Sequence, residues 1–399
     1  MVVAHSGQAA TRVGTGGARL SRRRVLQDAG AVGLGLALSS FVAIPSGTRA
    51  LGAPAAAAHA LSLPLDGYDP GQRYDVQVKD VEYRRAGPEA WLARIFQPQG
   101  PGPFPALVEV HGGVWGANDR LLDTPMNQVL AASGIVVAAI DFREAPKDPY
   151  PASVADVNYA TRWLKAHAAE FSADPRTVGL LGGSSGGHLA MLSAMRPRDP
   201  RYAVLPLPEA PGVDATAAYV SLHTPIVDPY ARYLFAQATK RDDLIAGHLA
   251  YFEDVATMQE ANPHLILERG EPAALPPTIL LQGTADKNVT VAMQEEFAAA
   301  YRKAGGSIDF ELFPDQPHYF ANTPGPAADR ALGLVKAFVA QQLAGGATRA
   351  LPSTGAGGAA ARPTGDLSSP EFALPWLIGG GALAIAALGA NAWRRRRVA

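Results

Sequence analysis

The 399-residue sequence contains no cysteine and few charged residues. Without cysteine the chain has no disulfide scaffold, no cysteine-ligated zinc or iron–sulfur site and no thiol nucleophile. Charged residues make up 18% and the formal net charge is −1, so the sequence lacks the basic character of nucleic-acid-binding proteins. Because 48% of the residues are hydrophobic, the chain does not belong to the disordered class either.

The N-terminal 60 residues predict an export signal. Three arginines at 22–24 precede a mild apolar stretch at 29–44 and an alanine-rich run at 53–60. A basic start, a short apolar core and a small-residue end are typical of a secretory signal peptide. The paired arginines resemble a twin-arginine signal, which implies the twin-arginine translocase as a partner. An ordinary secretion signal with three arginines is the alternative.

The C-terminal 49 residues predict a second targeting signal. Residues 351–355 read LPSTG, residues 351–371 form a linker rich in small residues, and residues 372–399 hold an apolar segment followed by four arginines at 394–397. The 22-residue apolar segment at 372–393 is long enough to span a bilayer, and the basic tail favours a cytoplasmic end. Together these features resemble a Gram-positive sortase signal; a permanent transmembrane anchor is the alternative. Both predict a protein on the extracellular surface, anchored to the cell wall or the membrane.

Between the two ends, residues 61–350 are predicted to form one α/β domain. Period-2 patterning at 74–83 and 91–96 indicates antiparallel strands. Short apolar runs at 106–110, 134–140, 178–181, 217–222 and 278–282 then alternate with helical patterns at 154–171, 186–195, 291–304 and 328–343. This alternation predicts a mostly parallel central sheet flanked by helices, with a loop or small cap at 195–216. The domain carries 24 basic and 33 acidic residues, a net charge of −9 that favours solubility.

The segment GGSSGGH at 182–188 follows a predicted strand and precedes a predicted helix. This is the context of the G-x-S-x-G nucleophile elbow, in which a serine projects from a sharp strand-to-helix turn. Two frames fit, with Ser184 or Ser185 as the nucleophile. The segment resembles GGSAGGHLA of known esterases, and that resemblance implies Ser184. No lysine follows as in a phosphate-binding Walker loop, and the spacing misses G-x-G-x-x-G.

The motif HGGVW at 111–115 follows the strand at 106–110. It resembles the H-G-G-G motif of hormone-sensitive-lipase-like esterases, and its H-G-G-x-W form is similar to the feruloyl- and acetyl-esterase branch. The resemblance implies an oxyanion hole, the set of N–H donors that stabilises the negative oxygen of acyl transfer. We predict Gly112, Gly113 and Ser185 as the donors and Trp115 as a substrate-contacting residue.

A serine nucleophile needs a base and a group that orients the base. In the α/β-hydrolase fold these follow the serine in the order acid, then histidine. Asp286 lies just after the apolar strand at 278–282, and His318 lies just after a strand at 310–313. The resemblance therefore implies a Ser184–His318–Asp286 triad. Asp315 is a weaker candidate for the acid because it lies too close to His318 in sequence.

Residues 74–343, which contain these motifs, resemble the α/β-hydrolase esterases. A further run, DFREAP at 141–146, is similar to D-Y-R-L-A-P of the same group and predicts that Arg143 and Asp156 pin the loop that contains it. The expected function is hydrolysis of a small-molecule or polysaccharide ester through an acyl-enzyme, with no metal and no cofactor. A prolyl-oligopeptidase-type serine peptidase and a non-catalytic surface adhesion module are the alternatives.

Overall fold

The computed structural model describes residues 68–346, which contain one eight-stranded sheet. Its strands are β1 (Val76–Ala86), β2 (Glu89–Pro98), β3 (Phe104–Val110), β4 (Val136–Ile140), β5 (Ala173–Gly183), β6 (Val220–His223), β7 (Thr278–Gly283) and β8 (Ile308–Phe313). Every run in which the sequence predicted a strand corresponds to one of these strands.

The spatial order of the strands is β1-β2-β4-β3-β5-β6-β7-β8. Strand β2 pairs antiparallel with both β1 and β4, and all remaining pairs are parallel. The inner strands are mostly buried and apolar because helices cover both faces of a parallel sheet. The carboxyl ends of β3, β5, β6, β7 and β8 therefore meet at one edge, and this edge carries every predicted site residue.

Nine α-helices accompany the sheet in the described part of the chain. They are α1 (Thr124–Ala132), α2 (Ala152–Ala166), α3 (Ser184–Met195), α4 (Pro229–Ala238), α5 (Asp242–Phe252), α6 (Val255–Glu260), α7 (Pro263–Glu268), α8 (Val291–Lys303) and α9 (Pro326–Gly346). Helices α2, α3 and α8 pack into the larger apolar cluster on one face of the sheet. Helices α1 and α9 bury the other face in a second cluster. The predicted layered α/β architecture is confirmed.

The cap is built from a segment that the sequence analysis did not single out. Residues 196–219 contain no helix or strand, so the predicted loop-or-cap segment at 195–216 is a loop after the last residue of α3. Helices α4 to α7 instead fill the connection between β6 and β7. Helix α5 contacts the 111–116 loop after β3: a Cβ on Gly247 would lie 2.3 Å from the Val114 side chain. The cap thus packs directly on the predicted oxyanion region.

The predicted export signal and the predicted sorting signal, with its apolar segment at 372–393, lie outside the described residues. Within residues 68–346, no helix is both long enough and apolar enough to cross a membrane.

Candidate active site

Ser184 lies at a sharp turn between β5 and α3. Its backbone φ is 51°, in the left-handed region that costs a non-glycine residue about 1–3 kcal/mol. Two glycines make the turn possible. A Cβ on Gly186 would lie 1.9 Å from the Val110 carbonyl oxygen, and a Cβ on Gly182 would lie 2.6 Å from the Gly186 carbonyl oxygen. The segment therefore has the strand–turn–helix geometry that its G-x-S-x-G pattern predicts.

The structure brings Ser184 together with His318 and Asp286. Ser184 Oγ lies 2.9 Å from His318 Nε2, and His318 Nδ1 lies 2.7 Å from Asp286 Oδ2. An ionised carboxylate only accepts hydrogen bonds, so His318 carries its proton on Nδ1 and its Nε2 accepts from the serine hydroxyl. The three side chains come from the ends of β5, β7 and β8, which the parallel sheet places at one edge.

The two alternatives that the sequence left open are not part of this arrangement. Ser185 Oγ accepts a hydrogen bond from the Trp115 backbone N–H at 3.3 Å and is almost fully buried. Asp315 is exposed, and its backbone N–H donates to Thr284 Oγ1. Neither side chain forms a hydrogen bond with His318, whose ring nitrogens bond to Ser184 and Asp286.

The Asp286 carboxylate is buried but well supplied with donors. Burial by itself would raise its pKa, yet the hydrogen bond and charge of His318 and the N–H groups of Val289 and Asn288 outweigh burial and hold the pKa below its ordinary value. These N–H groups donate to Oδ1 at 2.9 and 2.7 Å, and Gln282 Nε2 donates to Oδ2 at 3.1 Å. Asp286 is therefore ionised, as an orienter of the imidazole must be.

One of the predicted oxyanion donors, Gly112, has a hydrogen-bond partner inside the protein. The Gly112 N–H donates to Tyr319 Oη at 3.0 Å, so it is already occupied and cannot serve a substrate oxygen in this arrangement. The other two predicted donors differ from it: neither Gly113 nor Ser185 donates its N–H to an acceptor among the described residues. The sequence could not reveal this, because Tyr319 lies 207 residues away.

The carbonyl groups of this loop determine where its N–H groups point. The Gly112 carbonyl accepts from His111 Nδ1 at 2.9 Å, and the Gly113 carbonyl accepts from the Gly116 N–H at 3.1 Å. In a trans peptide the next N–H points opposite to the carbonyl. The N–H groups of Gly113 and Val114 therefore face away from these internal partners and have no acceptor in the described part of the chain. The sequence analysis did not single out Val114.

Trp115 does not contact a substrate surface, contrary to the sequence-based expectation. Only 1% of it is exposed, and its ring stacks on Tyr251 of α5 with centroids 5.1 Å apart and planes inclined by 3°. Its indole Nε1 donates to His188 Nδ1 at 3.1 Å. Trp115 therefore anchors the loop at 111–116, called the oxyanion loop below, to the cap and to α3. This contact explains why an aromatic residue follows the glycines.

His188 completes this anchor in a neutral form. Its Nδ1 accepts from Trp115, so its Nε2 carries the proton and donates to the Ala261 carbonyl at 2.7 Å. Burial lowers the pKa of His188 to about 4. These contacts make His188 a packing residue on the helix that follows the elbow.

Arg143 and Asp156 form the contact that the sequence predicted, as an ion pair. Asp156 is fully buried and accepts from Arg143 Nε at 2.9 Å, from the Arg143 N–H at 2.8 Å and from Arg84 Nη1 at 2.7 Å. Because Arg84 lies on β1, Asp156 also links the segment between β4 and α2 to the antiparallel edge of the sheet.

Two further residues at the site escaped the sequence analysis. Gln282 supports Asp286, and Tyr319 supports the oxyanion loop. Each had a weak signal: Gln282 is a polar residue at the end of an apolar strand, and Tyr319 directly follows the predicted base. Among residues 68–346, no cluster of three or more His, Asp or Glu side chains is placed to hold a metal ion.

Comparisons with known proteins agree with this geometry. The BD-FAE family matches residues 94–301. Esterase LipQ of Mycobacterium tuberculosis is 28% identical over 260 residues, which cover 63% of this chain and 59% of LipQ. Carboxylic ester hydrolase LipN of the same organism is 32% identical over 272 residues, covering 63% and 66%. The chain thus spans between about half and two thirds of the length of such curated relatives.

A solved structure extends the likeness to the fold. The esterase Est2 of Thermogutta terrifontis, with propionate bound, aligns with a TM-score of 0.52 and 25% identity. The alignment covers 67% of this chain and 94% of Est2. The shared sheet defines an α/β-hydrolase fold. Since the BD-FAE match extends over more than half of the 399 residues, the chain belongs to the BD-FAE family.

Proposed function

We propose that the chain is a serine carboxylic-ester hydrolase with Ser184 as nucleophile, His318 as general base and acid, and Asp286 as the group that orients His318. The observation that carries the proposal is the continuous hydrogen-bonded chain from Ser184 Oγ through both ring nitrogens of His318 to Asp286, at 2.9 and 2.7 Å. The ionised, multiply hydrogen-bonded carboxylate stabilises the imidazolium that forms during the reaction.

The reaction follows from these positions in two halves. Ser184 Oγ attacks the ester carbonyl while His318 Nε2 takes its proton, and the alcohol then leaves with that proton, forming an acyl-enzyme. Water next attacks the acyl carbon as His318 Nε2 accepts a proton from it. The tetrahedral intermediate then collapses, His318 returns that proton to Ser184 Oγ, and the acyl group leaves as the carboxylic acid. We assign the oxyanion donors to the N–H groups of Gly113, Val114 and Ser185, because these lack other acceptors among the described residues.

The test compares two serines of the same helix. S184A is expected to lower kcat for p-nitrophenyl acetate by a factor on the order of 10⁴ or more, because the nucleophile is removed. S193A is the matched control, since Ser193 is also buried on α3 but makes no hydrogen bond through Oγ in the described residues. A fluorophosphonate probe should label the wild type and S193A but not S184A. Equal turnover by S184A and the wild type would contradict the proposal.

We infer that short acyl groups are preferred. The support is the likeness to Est2, whose structure holds propionate. A series of p-nitrophenyl esters from acetate to decanoate should give the highest kcat/KM at the short end. A maximum at decanoate would overturn the inference, and cleavage of proline-containing peptides without ester turnover would favour the peptidase alternative.

We also propose that the chain is exported by the twin-arginine route and then held at the outer surface. The support is the sequence of residues 1–60 and 351–399 alone. Replacing Arg22, Arg23 and Arg24 together by lysine should retain the protein in the cytoplasm. Deleting residues 351–355 separates the two anchors: a sortase substrate would lose its covalent cell-wall linkage, whereas a permanently anchored protein would fractionate as before. Export that is unchanged in the triple-lysine variant would contradict the twin-arginine proposal.

A further inference from the structure

A buried pair of carboxyl groups lies beneath the oxyanion loop. Glu109 on β3 and Asp123 just before α1 are both fully inaccessible to solvent. Tyr319 Oη donates to Asp123 Oδ2 at 2.8 Å, and Asn127 Nδ2 donates to Glu109 Oε2 at 3.2 Å. Because Tyr319 Oη also accepts the Gly112 N–H at 3.0 Å, a continuous polar chain runs from α1 to the oxyanion loop.

The two groups lie close enough for the charge of Asp123 to raise the pKa of Glu109. Within residues 68–346 neither carboxyl forms an ion pair with Lys or Arg, and the oxygens left without another partner are Glu109 Oε1 and Asp123 Oδ1. Two adjacent, fully buried carboxylates cannot both be ionised without a large desolvation and repulsion cost. A proton between these two oxygens removes that repulsion and gives each oxygen a partner.

The surroundings of the two carboxyls differ in a way that decides which one holds the proton. Burial raises the pKa of Glu109, and the charge of Asp123 raises it further. Burial also raises the pKa of Asp123, but hydrogen bonds from Glu109 and Tyr319 act in the opposite direction. The geometry agrees, because Asp123 accepts a 2.8 Å hydrogen bond from the Tyr319 hydroxyl whereas Glu109 accepts only a 3.2 Å bond from the Asn127 amide. We therefore assign the shared proton to Glu109.

Tyr319 links this pair to both halves of the site. Its backbone N–H donates to Thr224 Oγ1 at 3.3 Å, and its ring is wedged between two backbone segments. A Cβ on Gly183 would lie 2.6 Å from that ring, and a Cβ on Gly112 would lie 3.0 Å from it. The residue that follows the base thus separates the nucleophile strand from the oxyanion loop and fixes their spacing.

We propose that Glu109, Asp123 and Tyr319 form a positioning device for the oxyanion loop, in which protonated Glu109 donates to ionised Asp123 and Asp123 holds the Tyr319 hydroxyl against the Gly112 N–H. This proposal rests on the esterase function proposed above. With the Gly112 N–H held by Tyr319 and the Gly112 carbonyl held by His111, both peptide planes next to the first oxyanion donor are fixed. None of the three side chains touches the reacting atoms.

The experiment compares four variants with p-nitrophenyl acetate as substrate. Y319F and D123N should each lower kcat by about tenfold or more with KM within about twofold of the wild-type value, because the loop that stabilises the transition state loses its orientation. E109Q should keep kcat within about twofold, since a glutamine amide can donate to Asp123 and accept from Asn127 as the protonated acid does. Y219F is the control, because Tyr219 is also a buried-core tyrosine, and among the described residues its hydroxyl hydrogen-bonds only to the Ala106 carbonyl, at 3.4 Å.

Two results would overturn the proposal: E109Q losing as much kcat as D123N, or Y319F behaving like Y219F. Thermal unfolding midpoints accompany every kinetic measurement. If D123N does not fold, the pairs Y319F with Y219F and E109Q with wild type still decide the question. If the wild type shows no ester turnover, the proposed function fails, but the midpoints still test the proton arrangement: E109Q should match the wild type and D123N should melt several degrees lower.

Discussion

The acid loop after β7 and the oxyanion loop after β3 serve the same site but are held in different ways. Asp286 is held by Gln282, Asn288 and Val289, all within four residues of it. The oxyanion loop is held by Ser185, His188 and Tyr319, which lie between 70 and 207 residues from their partners.

This difference predicts which substitutions reduce turnover alone and which reduce turnover and stability together. The acid loop forms its own hydrogen bonds, so a change in its carboxylate should reduce turnover more than it reduces the free energy of unfolding. The oxyanion loop depends on the assembled cap, sheet and α3. A change in its anchors should therefore reduce the free energy of unfolding and the turnover together.

The largest expected effect is on the acid loop. D286N should lower kcat for p-nitrophenyl acetate by about 10⁴-fold, because the amide favours the wrong tautomer of His318. The unfolding midpoint should change much less than turnover does. D315N is the matched control, since Asp315 is exposed and does not contact His318. A D286N enzyme within tenfold of the wild type, or a D315N enzyme with the larger loss, would show that Asp286 is not the orienting acid.

The next effect concerns the anchor of the oxyanion loop. W115A should lower the free energy of unfolding by about 3–5 kcal/mol, because a fully buried aromatic ring is removed. W115F should cost about 1–3 kcal/mol through the unpaired Nδ1 of His188, and kcat should fall in both variants. Denaturant unfolding measures the first quantity.

A matched tryptophan lies on β2, away from the oxyanion loop. W91F tests whether any Trp-to-Phe change has the same effect, because Trp91 is partly exposed and stacks under Arg84. If W115F and W91F have equal stability and equal kcat, the anchoring role of Trp115 is wrong.

The smallest effect is a difference in pH dependence. Burial lowers the pKa of His188 and His223 to about 4 and that of His248 to about 3. Below pH 6.5 the unfolded chain binds protons that the folded chain does not, so stability falls with pH down to these folded-state values. Replacing His188 by glutamine should reduce the slope of the free energy of unfolding against pH by roughly 1.4 kcal/mol per pH unit between about pH 6 and about pH 5.

Asp286 acts in a separate window. Its lowered pKa contributes stability above the ordinary value of 3.8, and this contribution is lost only as pH falls through the lower folded-state value. Unfolding curves from neutral to acid pH therefore separate the two loops. An H188Q variant with an unchanged slope, or a D286N variant that flattens the curve above pH 5, would contradict this assignment.

Local pattern was enough to predict much of this molecule. Short apolar runs predicted β3 to β7, because a strand buried on both faces is mostly apolar, and period-2 patterning predicted the antiparallel strands β1 and β2. The glycines around Ser184 and the polar residues at the ends of β7 and β8 indicated side chains that the structure brings within 2.9 Å of one another. The cap helices α4 to α7 were missed, since their short amphipathic patterns are hard to distinguish from those of a polar connection.

Strand periodicity and turn chemistry are local properties of the chain, so the layered sheet and the residues at its carboxyl edge could be predicted from the sequence. Three other features depend on long-range contacts. Gly112 is occupied by Tyr319, Val114 presents an N–H group without an acceptor among the described residues, and Trp115 is buried under α5. The physical reason is that hydrogen-bond occupancy and burial depend on groups brought in from distant parts of the chain. The same motif could therefore present either a donor to a substrate or a donor to its own protein.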